Sequence, residues 1–212
     1  MSDDLPESDR LDGVPHPRET QRLYGQEAAE AAFLDAVEIG RLHHAWLLTG
    51  PRGIGKATLA WRIARYLLQP PAPGMFGATL DPPQDDALAH RLRGLSEPRL
   101  LLIRRPYDEK AGRFRAEIPV DEVRRLRGFF GLSAAEGGRR VVIVDTADDL
   151  NPNAANALLK VLEEPPEGAV LLLVSHQPSG LLPTIRSRCR ELRLRPLDQA
   201  DLSRALEGAG VS

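Results

Sequence analysis

Gly50-Pro51-Arg52-Gly53-Ile54-Gly55-Lys56-Ala57, directly after the apolar run Ala45-Trp46-Leu47-Leu48, decides the fold of this chain. A buried strand, a glycine-rich loop and a helix in that order form a phosphate-binding unit, whose full pattern is G-x-x-x-x-G-K-[ST]. Gly50, Gly53 and Gly55 let backbone N–H groups curl around phosphate oxygens, and Lys56 reaches the terminal phosphates. The last position should carry a hydroxyl that holds Mg²⁺, and here it is Ala57. Thr58 comes one residue late, and one residue on a helix swings a side chain by about 100°. The loop therefore reads as a nucleotide cradle whose competence as a hydrolase is in doubt.

The helix after the loop carries Leu59, Ile63, Tyr66 and Leu67 and is expected to stop at Pro70-Pro71. Before the strand, Ala29, Ala32, Phe33, Ala36 and Val37 follow helical spacing and Gly40 ends that helix. Further on, Leu100 to Ile103, Val141 to Val144 and Val170 to Val174 read as apolar strands, with Leu192 and Leu194 marking a fifth. Between them, Val123, Leu126 and Phe130 mark one helix. Ala155, Leu158, Leu159 and Leu162 mark another, opened by Asn151-Pro152 and closed by Pro165-Pro166. Apolar strands alternating with helices predict an α/β fold of the P-loop kind, a five-stranded, mostly parallel sheet with helices on both faces. Residues 105–118 read as a loop or a hairpin. Residues 1–19 read as a loose polar arm, 20–196 as the nucleotide-binding-type domain with a Pro-rich insertion at 70–98 and a short helix near 85–94. Residues 197–212, with Asp198 capping a last helix that has little to pack on, read as the start of a further, truncated domain.

Composition narrows the class. At 212 residues and 42% hydrophobic content the chain can bury a core, and a net charge of −2 advertises no global attraction to nucleic acid. A lone cysteine, Cys189, excludes a disulfide framework and a cysteine-built zinc site; it reads as a small buried hydrophobe. No apolar run reaches the ~18 residues of a membrane span and the acidic start is no signal peptide, so the chain reads as cytoplasmic.

Asp145 ends the Val141–Val144 strand, where a P-loop protein places a metal-facing carboxylate; the alternative is a strand-end turn residue. The next residue is Thr146, where many ATPases have a glutamate base, and Asp148 and Asp149 read as capping or solvent-facing. Ser175 ends the following strand, as a polar sensor or a turn residue. Arg186, and Arg188 within Ser187-Arg188-Cys189, read by themselves as surface charges rather than functional ones.

Asn156-Ala157-Leu158-Leu159-Lys160-Val161-Leu162-Glu163-Glu164-Pro165-Pro166, with Leu182-Pro183-Thr184-Ile185-Arg186-Ser187-Arg188-Cys189, resembles bacterial clamp-loader subunits of the AAA+ class, over roughly residues 20–196. Ala57 and Thr146 match what that family shows in its stationary, non-hydrolysing ring member. The resemblance implies that Arg188 projects into a neighbour's ATP site as a finger in trans, a role that suits a permanently charged fork and can be worth about 10³–10⁵-fold in rate. It also implies partners: ATPase subunits, a delta subunit, the sliding clamp and primer–template DNA, within a DNA polymerase holoenzyme in DNA replication. Gly50, Gly53, Gly55, Lys56, Ala57, Thr58, Asp145 and Ser175 would form a vestigial site that needs no cofactor and binds ATP or ADP weakly or not at all. Related subunits carry a four-cysteine zinc module after the loop helix; residues 70–98 lack cysteine, so no zinc is expected.

Arg124, Arg125 and Arg127, with Arg139 and Arg140 nearby, read as a solvated helix face or as phosphate contacts to DNA. Lys160 and Glu163 are spaced to pair. The rival readings are an active ATPase motor subunit of the same machine, gamma/tau-like, that uses Thr58, and a small-molecule nucleotide kinase.

Overall fold

The computed structural model describes residues 6–11, 13–20, 22–69, 78–81, 87–131 and 138–208. Its frame is a five-stranded sheet: β1 (Ala45–Thr49), β2 (Leu100–Arg104), β5 (Arg140–Asp145), β6 (Ala169–Ser175) and β7 (Arg190–Arg193), in the order β2-β5-β6-β1-β7. Every pairing within it is parallel. Residues 107–114 form the hairpin that the sequence left open against a loop, through β3 (Tyr107–Asp108) and β4 (Arg113–Phe114), with Tyr107 and Phe114 packed edge to face.

Alternation along the strands divides the core in two, because successive side chains point to opposite faces. Trp46, Leu48, Ile143, Leu172 and Val174 face α1 (Glu27–Glu38) and α2 (Lys56–Leu68). Leu47, Ile103, Val142, Val144, Leu171 and Leu173 face α4 (Val120–Gly131) and α5 (Pro152–Glu163). All five residues of β1 and all seven of β6 are buried, as central strands covered on both faces must be.

Most helix limits follow the sequence signals. Gly40, at φ 67°, follows the end of α1. The Asn151 side chain accepts a hydrogen bond from the Ala154 N–H at 2.8 Å, with Pro152 in the first turn of α5. Asp198 does the same for the Asp201 N–H at the start of α7 (Gln199–Gly208). The short helix α3 (Ala87–Arg93) lies within the span expected for it, whereas Pro70, Pro71, Pro73, Pro82 and Pro83, and with them the expected stop of α2, lie outside the described residues. A short α6 (Pro183–Arg186) precedes β7.

One expectation fails. Of the expected loose arm, residues 6–11 and 13–19 are packed: His16 is 1% exposed, Glu7 pairs with Arg18 and with Arg104 of β2, and Asp9 pairs with His16 and Arg104, while residues 1–5 and 12 lie outside the described residues. Polar composition hid this, because the burial is that of paired charges rather than apolar surface. In the last helix no residue is buried and Leu202 and Leu206 stay exposed; its contacts are those of Arg204, 5.5 Å above the Tyr24 ring, and of Gly208, which allows close approach of Tyr24.

Two substitutions test this frame. Leu172→Ala, in the middle of the fully buried β6, should lower unfolding stability by about 2–5 kcal/mol, and Asn151→Ala by about 1 kcal/mol through loss of the cap. Denaturant midpoints against the parent chain read both.

Candidate phosphate-binding site

The glycine loop leaves the end of β1 and enters α2 through three residues in the left-handed region: Gly50 at φ 139°, Gly53 at 80° and Gly55 at 95°. Space as well as backbone angle requires glycine at two of them. A Cβ on Gly50 would meet the Ile54 side chain at 2.6 Å and the Leu194 carbonyl at 2.8 Å; one on Gly55 would meet Leu23 at 2.3 Å. The loop is tied from outside by Gln26, which is 4% exposed. Its side-chain amide donates to the Ile54 and Arg195 carbonyls at 3.3 and 2.7 Å and accepts from the Arg195 N–H at 3.1 Å. Sequence reasoning missed Gln26, since one glutamine before a helix carries no local signal for partners 28 and 169 residues away.

Lys56 is buried, and its ammonium donates to the loop's own Gly50 carbonyl at 2.7 Å and to that of Pro51. Burial pulls its pKa down to about 8, against the opposing pull of Asp145 and Asp148. Lys56, Ala57, Thr58, Asp145 and Thr146 all line one cavity of about 340 Å³. Ala57 thus presents a methyl group where the pattern asks for a hydroxyl, and Thr146 a hydroxyl where a hydrolase would hold a carboxylate. Asp145 lies at the end of β5, as expected. Burial first, and then the charge of Asp9, raise its pKa to about 7 while Lys56 opposes.

Ser175 does not face this cavity. It is fully buried and its Oγ donates to Asp148 Oδ1 at 2.7 Å. Asp148 also accepts from the Gln177 N–H at 3.3 Å and from the His176 N–H, so it is neither a cap nor a solvent-facing residue but the brace that fixes the end of β6. The residue that reaches the cavity is His176, whose Nδ1 is buried without a hydrogen-bond partner. Burial, then the charges of Lys56 and Arg52, push its pKa down to about 4, so it is a neutral imidazole at neutral pH. A shift of one residue at a strand end moves a side chain to the other face, and nothing local in Ser175-His176 distinguishes the two. Asp149 pairs with Arg105 at 3.1 Å.

A second, largely apolar cavity of about 580 Å³ adjoins the loop, bordered by Val14, Leu23, Tyr24, Ile54, Thr58 and Leu197. Arg188 lines neither cavity. Its guanidinium donates to the Thr184 carbonyl at 3.0 Å and pairs with Glu163 at 2.9 Å, with 35% of the side chain exposed. The expected Lys160–Glu163 pair thus gives way to Glu163–Arg188, because α6 returns the chain to the C-terminal end of α5. Cys189 is half-buried, and burial raises its thiol to about 12, which leaves it unreactive. Arg124 and Arg125 pair with Asp121 and Glu122 on the exposed face of α4. Among the described residues no cluster of His, Cys, Asp or Glu is placed to hold a metal ion, and no helix is long and apolar enough to cross a membrane.

A parallel sheet of this order, with a glycine loop on a central strand, an acidic residue ending the next strand but one and a polar strand end between them, defines a P-loop domain of the AAA+ kind. Solved structures share the fold. A gamma-subunit-related DNA polymerase III protein of Thermotoga maritima matches with a TM-score of 0.55 at 24% identity, covering 83% of this chain and 53% of that one. The RuvB Holliday junction branch migration motor of the same organism matches at 0.53 and 18% identity, over 91% of this chain and 54% of that one. The family model described as DNA polymerase III, delta subunit, matches residues 25–198. DNA polymerase III subunit delta′ of Pseudomonas aeruginosa is 46% identical over 148 residues, 69% of this chain and 41% of that protein. The tau subunit of Escherichia coli is 32% identical over 192 residues, 90% of this chain and 28% of the relative. The chain belongs to the delta′ family of DNA polymerase III clamp-loader subunits, and it spans about two fifths of the length of the Pseudomonas relative.

The raised Asp145 pKa has a testable sign. Between its unfolded value of 3.8 and about 7 the folded state binds the extra proton, so stability from this group is present below pH ~4 and is lost as pH rises towards 7. Asp145→Asn should remove that slope and raise stability at pH 7.5 by about 4 kcal/mol, read from urea midpoints across pH 4.5–8.

Proposed function

We propose that this chain is the nucleotide-binding-type domain of a stationary clamp-loader subunit. It joins a ring with ATPase subunits, supplies Arg188 to a neighbour's ATP, and so helps load a sliding clamp onto primed DNA. The observation that carries the reading is that Ala57 and Thr146 both line the phosphate cavity, at the two positions where hydrolysis needs a metal-holding hydroxyl and a base. A cradle made of backbone N–H groups survives those losses; metal positioning and water activation do not. The loop glycines, Lys56 and the adjoining apolar cavity fit the phosphates and the base of ATP or ADP, held weakly and without dependence on Mg²⁺.

Arg188 supports the finger role by its setting. Its ion pair with Glu163 is half exposed, and such pairs are worth only about 0–1 kcal/mol. Exchanging one carboxylate for a neighbour's terminal phosphate therefore costs little, and a guanidinium can engage phosphate oxygens in a fork. Its place outside its own cavity fits action in trans.

One observation favours the motor-subunit reading: Thr58 borders both cavities and carries the hydroxyl that Ala57 lacks. Calorimetric titration with ATP separates the two. Weak binding that Mg²⁺ does not improve, without phosphate release, is the outcome expected here; tight Mg²⁺-enhanced binding with turnover would give the motor reading. In the assembled complex containing the full-length protein, Arg188→Ala should lower DNA-stimulated ATPase at least about tenfold. The variant's melting temperature should stay within about 2 °C of the parent's. Unchanged ATPase would remove the finger.

A further inference from the structure

Residues of the segments 7–11 and 13–18 lie against the phosphate cavity. Ser8, Asp9, Leu11 and Val14 line it together with Lys56 and Asp145. Their anchorage is ionic and specific. Arg104, at the end of β2, binds Asp9 and, at 3.0 Å, Glu7. Arg18 binds Glu7 at 2.7 Å. His16 accepts a hydrogen bond from the Arg18 N–H at 3.1 Å on Nδ1, and its Nε2 lies 3.3 Å from Asp9. Asp9 and His16 expose 2% and 0% of their side chains.

Two features make this arrangement more than a packed terminus. It brings a carboxylate, Asp9, to the border of a cavity whose lysine and glycines suit an anion, with Glu7 bound behind it to Arg104 and Arg18. It is also incompletely satisfied: Ser8 Oγ and Arg18 Nε are buried without hydrogen-bond partners. A buried polar network with unmet members is held less firmly than a complete one. Meanwhile Lys56 spends its hydrogen bonds on its own loop.

We propose that the described residues 7–11 and 13–18 form an intramolecular closure of the phosphate site, so that the seated segment and a nucleoside di- or triphosphate exclude one another. The segment holds the cavity through Arg104 and His16, and nucleotide binds only the fraction of molecules in which it has lifted. The apparent dissociation constant is then the intrinsic one divided by that open fraction. This rests on the reading of the loop as a nucleotide cradle.

Arg104→Gln provides a test with opposite signs. If Arg104 merely contributes positive potential near the site, its loss weakens binding of an anion. If it holds the closure, its loss tightens binding. His16→Ala releases the same segment while removing a side chain other than the carboxylates and the arginines. Both variants, and the parent, are titrated with ribose-labelled fluorescent ADP, and amide hydrogen exchange over residues 7–18 reports whether the segment has lifted. The expected result is faster exchange there and about tenfold or greater tightening in both, ~1.4 kcal/mol or more. A lifted segment with unchanged, weaker or undetectable ADP binding overturns the proposal. If either variant fails to fold, the parent decides: saturating ADP must raise exchange over residues 7–18, and unaltered protection overturns the closure. Lys56→Ala distinguishes the underlying reading, since ADP binding that survives it would place the nucleotide outside the loop whatever the segment does.

Discussion

The burial of β1 is the constraint from which the site follows. With β6 on one side and β7 on the other, and apolar side chains on both faces, β1 has no freedom of register: a slip of one residue would exchange Trp46 and Leu48 for Leu47 and Thr49 in the face packed on α1 and α2. The end of a strand so fixed is a fixed point in space, and the glycine loop begins there. Gln26 then ties the loop's far side to the chain leaving β7, so that the cradle is clamped to three elements widely separated in sequence. Such a cradle persists when the catalytic side chains around it change, because its shape is made by backbone and core rather than by those side chains.

The charges around the cavity follow from the same burial. Lys56, Asp145 and His176 all sit where water is largely excluded, and each shifts towards its neutral form: the lysine to about 8, the aspartate to about 7, the histidine to about 4. In an active P-loop enzyme, metal and phosphate charges would oppose that tendency. Here the cationic lysine turns to carbonyls of its own loop, and the carboxylates of the N-terminal segment are compensated by Arg104 and Arg18 instead.

Arg188 stands in contrast. It is carried by a short helix and a turn at the C-terminal end of α5, outside both cavities, with only a half-exposed glutamate as its ionic partner. A permanently charged group placed in this way keeps about a third of its side chain in solvent, whereas Arg62 is 5% exposed between Glu30 and Asp81. Burial and pairing, more than the presence of arginine, separate the two kinds of residue.

The sequence by itself determined the strands, the helices with their caps, the parallel arrangement and the position of the cradle, because these depend on local signals: unbroken apolar runs, helical periodicity, and glycine where the backbone turns left-handed. Ala57 and Thr146 were legible for the same reason, as departures from a short pattern. Tertiary structure alone decided what depends on partners far along the chain. It turned Ser175 inward onto Asp148 and left His176 to face the cavity, gave Glu163 to Arg188 instead of Lys160, and made Gln26 a clamp. It also folded a polar N-terminal stretch against the phosphate site through ion pairs to Arg104. Residue type records that a side chain is charged or polar; only the packed chain determines which opposite charge it meets, and therefore whether it is solvated or buried.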